Sequence, residues 1–95
     1  MSVALLTILF ISPALQANER GAKLYKTCVQ CHGENGYGDE SQEAPRIAGQ
    51  HDWYIYSSLV AFQKKERKNE KMYPYIQYLT DQDFKDLASH VSSMK

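Results

Sequence analysis

The sequence has few cysteines, no net charge and no long apolar run. Its 95 residues include two cysteines, which excludes a framework of several disulfides. Eleven basic and eleven acidic residues give a formal net charge of zero, so bulk attraction to nucleic acid is not expected. No segment shows the alternating pattern of a half-buried strand, and no repeat is present. These absences favour one small all-α domain that needs a stabilising element other than disulfides.

The first 17 residues, MSVALLTILFISPALQA, carry no charge and are mostly apolar. This run is shorter than the roughly 20 apolar residues of a comfortable membrane span. Small residues at its end, followed by polar residues, are typical of a signal peptide cleaved after Ala17. The alternative is a single uncleaved anchor. The preferred interpretation is a signal peptide at residues 1–17 and one exported domain at residues 18–95.

Apolar residues recur at helical spacing in three segments, which predicts three helices. The first is expected to begin near Asn18, and the second to follow Asp52 as its N-cap. The third opens with a stretch like a capping box, Thr80-Asp81-Gln82-Asp83. A short helical turn is expected after Pro74.

The 18-residue segment GENGYGDESQEAPRIAGQ, residues 33–50, separates the first two helices. Its glycines, charges and proline predict a loop. Loops longer than about 12–15 residues in a small domain are usually functional or disordered. Something other than a second core must therefore hold this loop.

The stretch C-V-Q-C-H, residues 28–32, holds both cysteines and a histidine directly after the second one. A dithiol redox pair would be expected after a strand of a βαβ unit. A zinc site needs a fourth ligand and usually a second C-x-x-C or a histidine pair. C-x-x-C-H is the signature of covalent haem attachment. Cys28 and Cys31 are one turn apart and would lie on the same edge of a helix, from which both could reach one porphyrin. The motif predicts haem c held by both thiols, with His32 on its iron.

The strongest candidates for a second axial ligand are Met72, Met94, His51 and His90. Met72 lies 40 positions after His32, in a short non-helical link before a proline. A loop there could cross the far face of the porphyrin. Met94 lies next to the last residue, where fraying is expected. Met72 is therefore the favoured ligand.

Taken together, these segments resemble the class I c-type cytochromes over nearly all of residues 19–95. C-V-Q-C-H matches the attachment motif of that family, and A-P-R-I-A-G-Q, residues 44–50, resembles its A-P-x-L-A-G-Q element. The order W-Y-I-Y-S-S-L-V-A-F, basic turn, Met72, I-Q-Y-L-T-D-Q-D-F-K-D-L-A resembles one half of the dihaem cytochromes called c-four. It also resembles related small monohaem cytochromes.

The resemblance implies the cytochrome c fold, with three main helices and a short helical turn around one covalently bound haem and its iron. It implies that Cys28 and Cys31 carry the thioethers, and that His32 and Met72 are the axial iron ligands. It also implies that the carbonyl of Pro45 accepts a hydrogen bond from the other ring N–H of His32.

The resemblance further implies a close crossing of the first and last helices. Gly21 and Tyr25 would meet Leu87 and Ala88 there. His90 stands where the family commonly has an aromatic residue. We expect it to be a polar packing group that needs a partner, or to be partly exposed.

An iron with both axial positions filled indicates one-electron transfer. The interpretation is a soluble periplasmic carrier, not an enzyme, that exchanges electrons with a redox protein donor and acceptor. Contact with a membrane is expected only through partner complexes. One alternative is an electron-transfer subunit of an oxidoreductase complex. Another is a haem sensor or weak peroxidase with Met72 labile.

Two charge clusters follow the motif. The acidic cluster is Glu34, Asp39, Glu40 and Glu43, and the basic cluster is Lys64, Lys65, Arg67, Lys68 and Lys71. The simplest interpretation is two solvated loops. The sharper hypothesis is that the basic cluster borders the haem edge and docks against an acidic partner.

Overall fold

A computed structural model describes residues 12–95. Within this range lie five α-helices and one 3-10 turn: α1 Pro13–Tyr25, α2 Val29–His32, the 3-10 turn Glu40–Gln42, α3 Asp52–Gln63, α4 Tyr73–Ile76 and α5 Asp81–Ser93. The all-α prediction is confirmed for these residues. The first eleven residues of the predicted signal peptide lie outside them. No helix in the described range is long and apolar enough to cross a membrane.

Helix α1 begins earlier than predicted. Its N-cap is Ser12, not Asn18, and the Ser12 hydroxyl oxygen accepts a hydrogen bond from the backbone N–H of Leu15 at 3.2 Å. Pro13 occupies the first helical position, where its missing N–H is not needed. The helix therefore continues through the predicted cleavage position after Ala17. The predicted start near Asn18 was wrong because the capping residue, Ser12, lies within the predicted signal peptide.

The C-V-Q-C-H motif does not lie on the last turn of helix α1. Helix α1 ends at Tyr25, and the next three backbone N–H groups donate to carbonyls three residues earlier, which makes the turn narrower than in an α-helix. A new short helix, α2, then starts after Cys28. It ends at His32, and the next residue, Gly33, has a φ of +84°, which favours glycine.

The starts of α3, α4 and α5 agree with prediction to within about one residue. His51 occupies the N-cap position of α3 without a side-chain capping bond, while the predicted cap Asp52 accepts from the N–H of Trp53 at 2.8 Å. The capping box of α5 is confirmed: the N–H of Asp83 donates to Thr80 Oγ1 at 3.1 Å, and that of Thr80 donates to Asp83 Oδ2 at 2.9 Å. The predicted short turn is α4, with proline in its first turn.

Helices α1 and α3 both pack on α5. The buried core that they share consists of Tyr25, Ile55, Leu59, Ile76, Phe84, Leu87, Ala88 and Val91. At the α1–α5 crossing, a Cβ atom on Gly21 would lie 2.1 Å from the backbone oxygen of Asp86 and 2.7 Å from Cβ of His90. The predicted close crossing is confirmed. The atoms nearest a Cβ on Gly21 belong to Asp86 and His90, while Tyr25, Leu87 and Ala88 share the buried core beside the crossing.

The loop at residues 33–50 is held by its own backbone hydrogen bonds. The carbonyl of Gly36 accepts from the N–H of Ala48 at 3.0 Å. Asp39 and Ala44 exchange two backbone bonds, of 2.8 and 3.1 Å, on either side of the 3-10 turn. These bonds fold the long loop into a compact wall without a second apolar core.

Candidate cofactor site

A cavity of about 720 Å³ lies between the loop at residues 33–50, α3 and the α4 region. Its volume falls within the roughly 300–1,000 Å³ of ligand and cofactor pockets. An apolar wall is formed by Ile55, Leu59, Phe62, Ile76, Leu87 and Val91. Side chains of the small core thus form a large apolar surface that faces the cavity.

All five residues predicted for the site line this cavity. They are Cys28, Cys31, His32, Pro45 and Met72. They come from three separate segments: the α2 motif, the long loop and the turn before α4. The fold therefore brings together residues that the sequence places up to 44 positions apart.

His32 is held in one orientation and one tautomer. Its side chain is buried, with 8 % of the residue exposed, and its Nδ1 lies 2.9 Å from the carbonyl oxygen of Pro45. Because a carbonyl can only accept, Nδ1 carries the proton and donates. The neutral ring then keeps its lone pair on Nε2, the atom available to bind a metal.

Tyr25 fixes the backbone directly after His32. Its hydroxyl donates to the carbonyl oxygen of Gly33 at 2.6 Å. Burial, with a smaller contribution from Cys28, raises the pKa of Tyr25 to about 12, so the phenol stays a donor throughout the physiological range. Sequence reasoning placed Tyr25 in the helix crossing and missed this bond, because it depends on the turn at Gly33.

The two cysteines are partly buried free thiols at the cavity. Burial raises the pKa of Cys28; the Thr27 hydroxyl opposes this rise, and Cys31 adds to it. A reactive thiol needs a lowered pKa, so these surroundings do not favour redox chemistry at Cys28. Among residues 12–95, no group of three or more His, Cys, Asp or Glu side chains could hold a metal ion. The zinc hypothesis therefore finds no further ligands in that range.

Of the four candidate second ligands, all within the described residues, Met72 alone lines the cavity. It is half-buried and immediately precedes α4. His51 is exposed and stacks on Trp53, with ring centroids 5.7 Å apart. Met94 packs beside Gly36 near the end of the chain. His90 lies in the α1–α5 crossing.

His90 has the partner that its position requires. Its Nδ1 lies 3.0 Å from Oδ1 of Asn18, and its ring lies 5.5 Å from that of Tyr25. An amide oxygen can only accept, so His90 Nδ1 donates. Burial lowers the pKa of His90. The prediction that His90 is a polar packing group with a partner is confirmed.

The acidic and basic clusters meet at the edge of the cavity. Arg67, Lys68 and Lys71 are among the lining residues, and Lys71 Nζ lies 3.4 Å from Glu43 Oε1. This pair is exposed and contributes little stability. The Arg67 guanidinium lies 4.4 Å from the ring centre of Phe62. Lys68 forms no ion pair within the described part of the chain.

Comparison with known proteins identifies the family. The family model described as cytochrome c matches residues 18–95. Cytochrome c4 of Thiocapsa roseopersicina is 41% identical over 78 residues, covering 82% of this chain and 38% of that protein. Cytochrome c-554(548) of Halomonas halodenitrificans is 38% identical over 72 residues, covering 73% of this chain and 86% of that protein. The chain belongs to the cytochrome c family.

Solved structures show the same fold. Reduced recombinant cytochrome c4 from Pseudomonas stutzeri matches with a TM-score of 0.77 at 24% identity, covering 84% of this chain and 49% of that chain. Thiosulfate dehydrogenase (TsdBA) from Marichromatium purpuratum also gives 0.77, at 27% identity, covering 81% of this chain and 18% of that chain. The predicted class I cytochrome c fold is confirmed. The chain spans half or less of the length of the cytochrome c4 relatives, and it resembles one half of these dihaem proteins.

Membership of this family makes haem c, with its iron, the cofactor, as predicted. The cavity suits such a group on three counts. It has an apolar wall, it has two thiols in C-x-x-C spacing, and it has a histidine whose Nδ1 is already bonded while Nε2 remains available. The relatives are bacterial c-type cytochromes.

Proposed function

We propose that this chain is a periplasmic one-electron carrier whose single haem c is ligated by His32 and Met72. When bound, haem supplies an iron that changes its oxidation state by one electron. The observation that carries the proposal is that Cys28, Cys31, His32 and Met72 all line one cavity. Redox proteins are the partners that this family implies.

Each residue has a distinct role in this proposal. Cys28 and Cys31 hold the porphyrin through thioethers. His32 presents Nε2, because the carbonyl of Pro45 occupies Nδ1 and fixes the ring. Met72 supplies a thioether sulfur, which raises the reduction potential. With His32 and Met72 both bound to the iron, no place would remain on it for a substrate, so the chain would carry electrons without being an enzyme itself.

Covalent attachment is tested by extraction. Denaturation followed by acid–acetone should leave haem on the polypeptide, because thioether bonds survive both treatments. Variants Cys28→Ala and Cys31→Ala should accumulate poorly, since the haem fills the cavity beside the core. Haem that extracts freely from the purified protein would refute the roles of both cysteines.

Ligation by Met72 is tested by substitution. Met72→Ala should abolish the far-red sulfur-to-iron absorption band, lower the reduction potential and open the reduced iron to carbon monoxide. Haem should remain covalently bound. Met94→Ala is the matched control and should change none of these properties. If only Met94→Ala removes the band, the assignment is wrong. If the wild type lacks the band, His51 or His90 becomes the leading candidate.

A second candidate function is an electron-transfer subunit within an oxidoreductase complex. The observation behind it is the similarity to part of the thiosulfate dehydrogenase chain, which is consistent with this role. Size-exclusion chromatography of extract from the native host separates the two functions. A carrier should elute at the size of the chain, whereas a subunit should elute with its partners.

A further inference from the structure

Helix α4, which follows Met72, is too short to be stable alone. It has four residues, Tyr73–Ile76, and isolated helices shorter than about 12–15 residues are marginal in water. Its last carbonyls also have no partners within the helix. Contacts from outside must therefore hold Met72 and α4 against the cavity.

Gln63, the last residue of α3, makes one of these contacts. Its side-chain Nε2 lies 3.1 Å from the carbonyl oxygen of Ile76 and 2.8 Å from that of Leu79. The carbonyl of Gln77 lies slightly further away, at 3.4 Å. An amide NH₂ has two donors, so it satisfies the two nearer carbonyls. Gln63 therefore ties the end of α4 to α3, which forms part of the cavity wall.

Asn69 makes the second contact, on the other side of Met72. Its side-chain Oδ1 accepts from the backbone N–H groups of Lys71 and Met72, each at 3.1 Å. Its own carbonyl accepts from the N–H of Tyr73 at 3.0 Å. Side-chain bonds of this kind to the backbone two or three residues on are the basis of Asx turns. They fix the backbone from which the Met72 side chain leaves.

We propose that Gln63 and Asn69 are positioning residues that together hold Met72 in place as the distal iron ligand. The inference rests on the proposed ligation by Met72. Neither residue needs to touch the iron, because they act on the backbone at the two ends of one short segment. Without them, this segment should open locally more often, while the α1–α5 crossing and the haem attachment remain intact.

The test compares ligand release with global stability. Asn69→Ala and Gln63→Leu each remove hydrogen bonds to the segment. Asn69→Asp is the conservative variant, because a carboxylate oxygen can accept the same two bonds. Arg20→Ala is the matched control: it removes the 3.0 Å ion pair with buried Asp86 between α1 and α5, away from Met72. That variant should lower global stability without loosening the segment.

Two measurements on the haem-containing protein separate the effects. One is the rate at which the reduced protein binds carbon monoxide, which requires Met72 to leave the iron. The other is the denaturant midpoint of the far-red band, compared with that of helix loss by circular dichroism. In Asn69→Ala and Gln63→Leu, carbon monoxide should bind about fivefold to tenfold faster. The band should also disappear before the helices. Asn69→Asp and Arg20→Ala should keep the wild-type rate.

Each outcome decides the inference. Rates that follow global stability in all variants would overturn it, and so would an Asn69→Asp variant that behaves like Asn69→Ala. If Gln63→Leu does not fold, the Asn69 pair still decides. A wild-type protein without the far-red band would refute ligation by Met72, and the inference with it. A wild-type band that Met72→Ala removes but neither positioning variant loosens would refute the inference alone.

Discussion

At the scale of single residues, His90 shows how the helix crossing changes acid–base behaviour. The imidazole lies between the ring of Tyr25 and the amide of Asn18, and burial lowers its pKa. A histidine with a lowered pKa binds a proton less readily in the folded chain than in the unfolded chain. Protonation of the unfolded chain therefore draws the equilibrium toward unfolding.

This difference predicts a pH dependence of stability. As pH falls through about 6.5, the ordinary histidine value, the free energy of unfolding should decrease, and it should level off below the lowered folded pKa. Denaturant unfolding of the haem-containing protein between about pH 5.5 and 7.5 measures this slope. His90→Gln should reduce this slope. An unchanged slope in His90→Gln would contradict the prediction.

The sequence predicts individual residues best where their chemistry is local. Cys28, Cys31 and His32 could be assigned because all three lie within five consecutive positions. The contact between Pro45 and His32 could be predicted only from the family resemblance, since it depends on how the long loop folds. Buried Asp86, 2% exposed, could not be singled out, because its partner Arg20 comes from another helix.

At the scale of elements, the helix caps explain both the correct and the incorrect boundaries. The start of α5 was predictable because a capping box is a local pattern, and both of its bonds are present. The break between α1 and α2 was not predictable from spacing. Apolar residues continue at helical spacing through Cys28, while the backbone tightens after Tyr25.

The α1–α5 crossing predicts the effect of one added methyl group. Gly21→Ala improves helix propensity by about 1 kcal/mol. The new Cβ would, however, lie 2.1 Å from a backbone oxygen that can move only with α5. We expect the clash to win and the variant to lose about 1–3 kcal/mol net. Chemical denaturation measures the loss.

The neighbouring exposed position provides a control for that experiment. Ala22→Gly changes propensity alone and should cost about 1 kcal/mol. If Gly21→Ala were more stable than the wild type, the two helices would have to separate at no cost. The close approach would then not restrict position 21.

At the scale of the whole molecule, the placement of charge matters more than its sum. The formal net charge is zero, yet Arg67, Lys68 and Lys71 line the cavity. Glu43 offsets Lys71 at the same edge. Arg67 and Lys68 line the cavity and form no ion pair in the described part of the chain, so their charges should act most directly on an approaching partner. This refines the hypothesis of an acidic docking partner.

An inorganic oxidant can test this local charge without the natural partner. The anion hexacyanoferrate(III) should oxidise the reduced protein more slowly as ionic strength rises, because salt screens attraction at the cavity edge. Lys68→Glu should slow the reaction at low salt more than the control Lys23→Glu, which reverses an exposed charge on α1 outside the cavity lining. Equal effects of the two variants would count against docking at this edge.

The separation of His32 and Met72 along the chain has a consequence for folding. The two residues lie 40 positions apart. If both bind one iron, as proposed, they close this loop in the folded chain. Closing a loop of that length costs chain entropy on the order of 4 kcal/mol, which the bond between Met72 and the iron must offset on folding. Unlike the thioethers, this bond would be a cross-link that breaks when the chain unfolds.

This cross-link depends on oxidation state. Methionine ligation raises the reduction potential, which means that the sulfur favours the ferrous iron. By thermodynamic linkage, the reduced protein should therefore need more denaturant to unfold than the oxidised protein. Met72→Ala should reduce the difference between the denaturant midpoints of the reduced and oxidised proteins. Equal midpoints for the two oxidation states of the wild type would contradict a bond between Met72 and the iron. In this chain, accepting an electron would therefore also raise the free energy of unfolding.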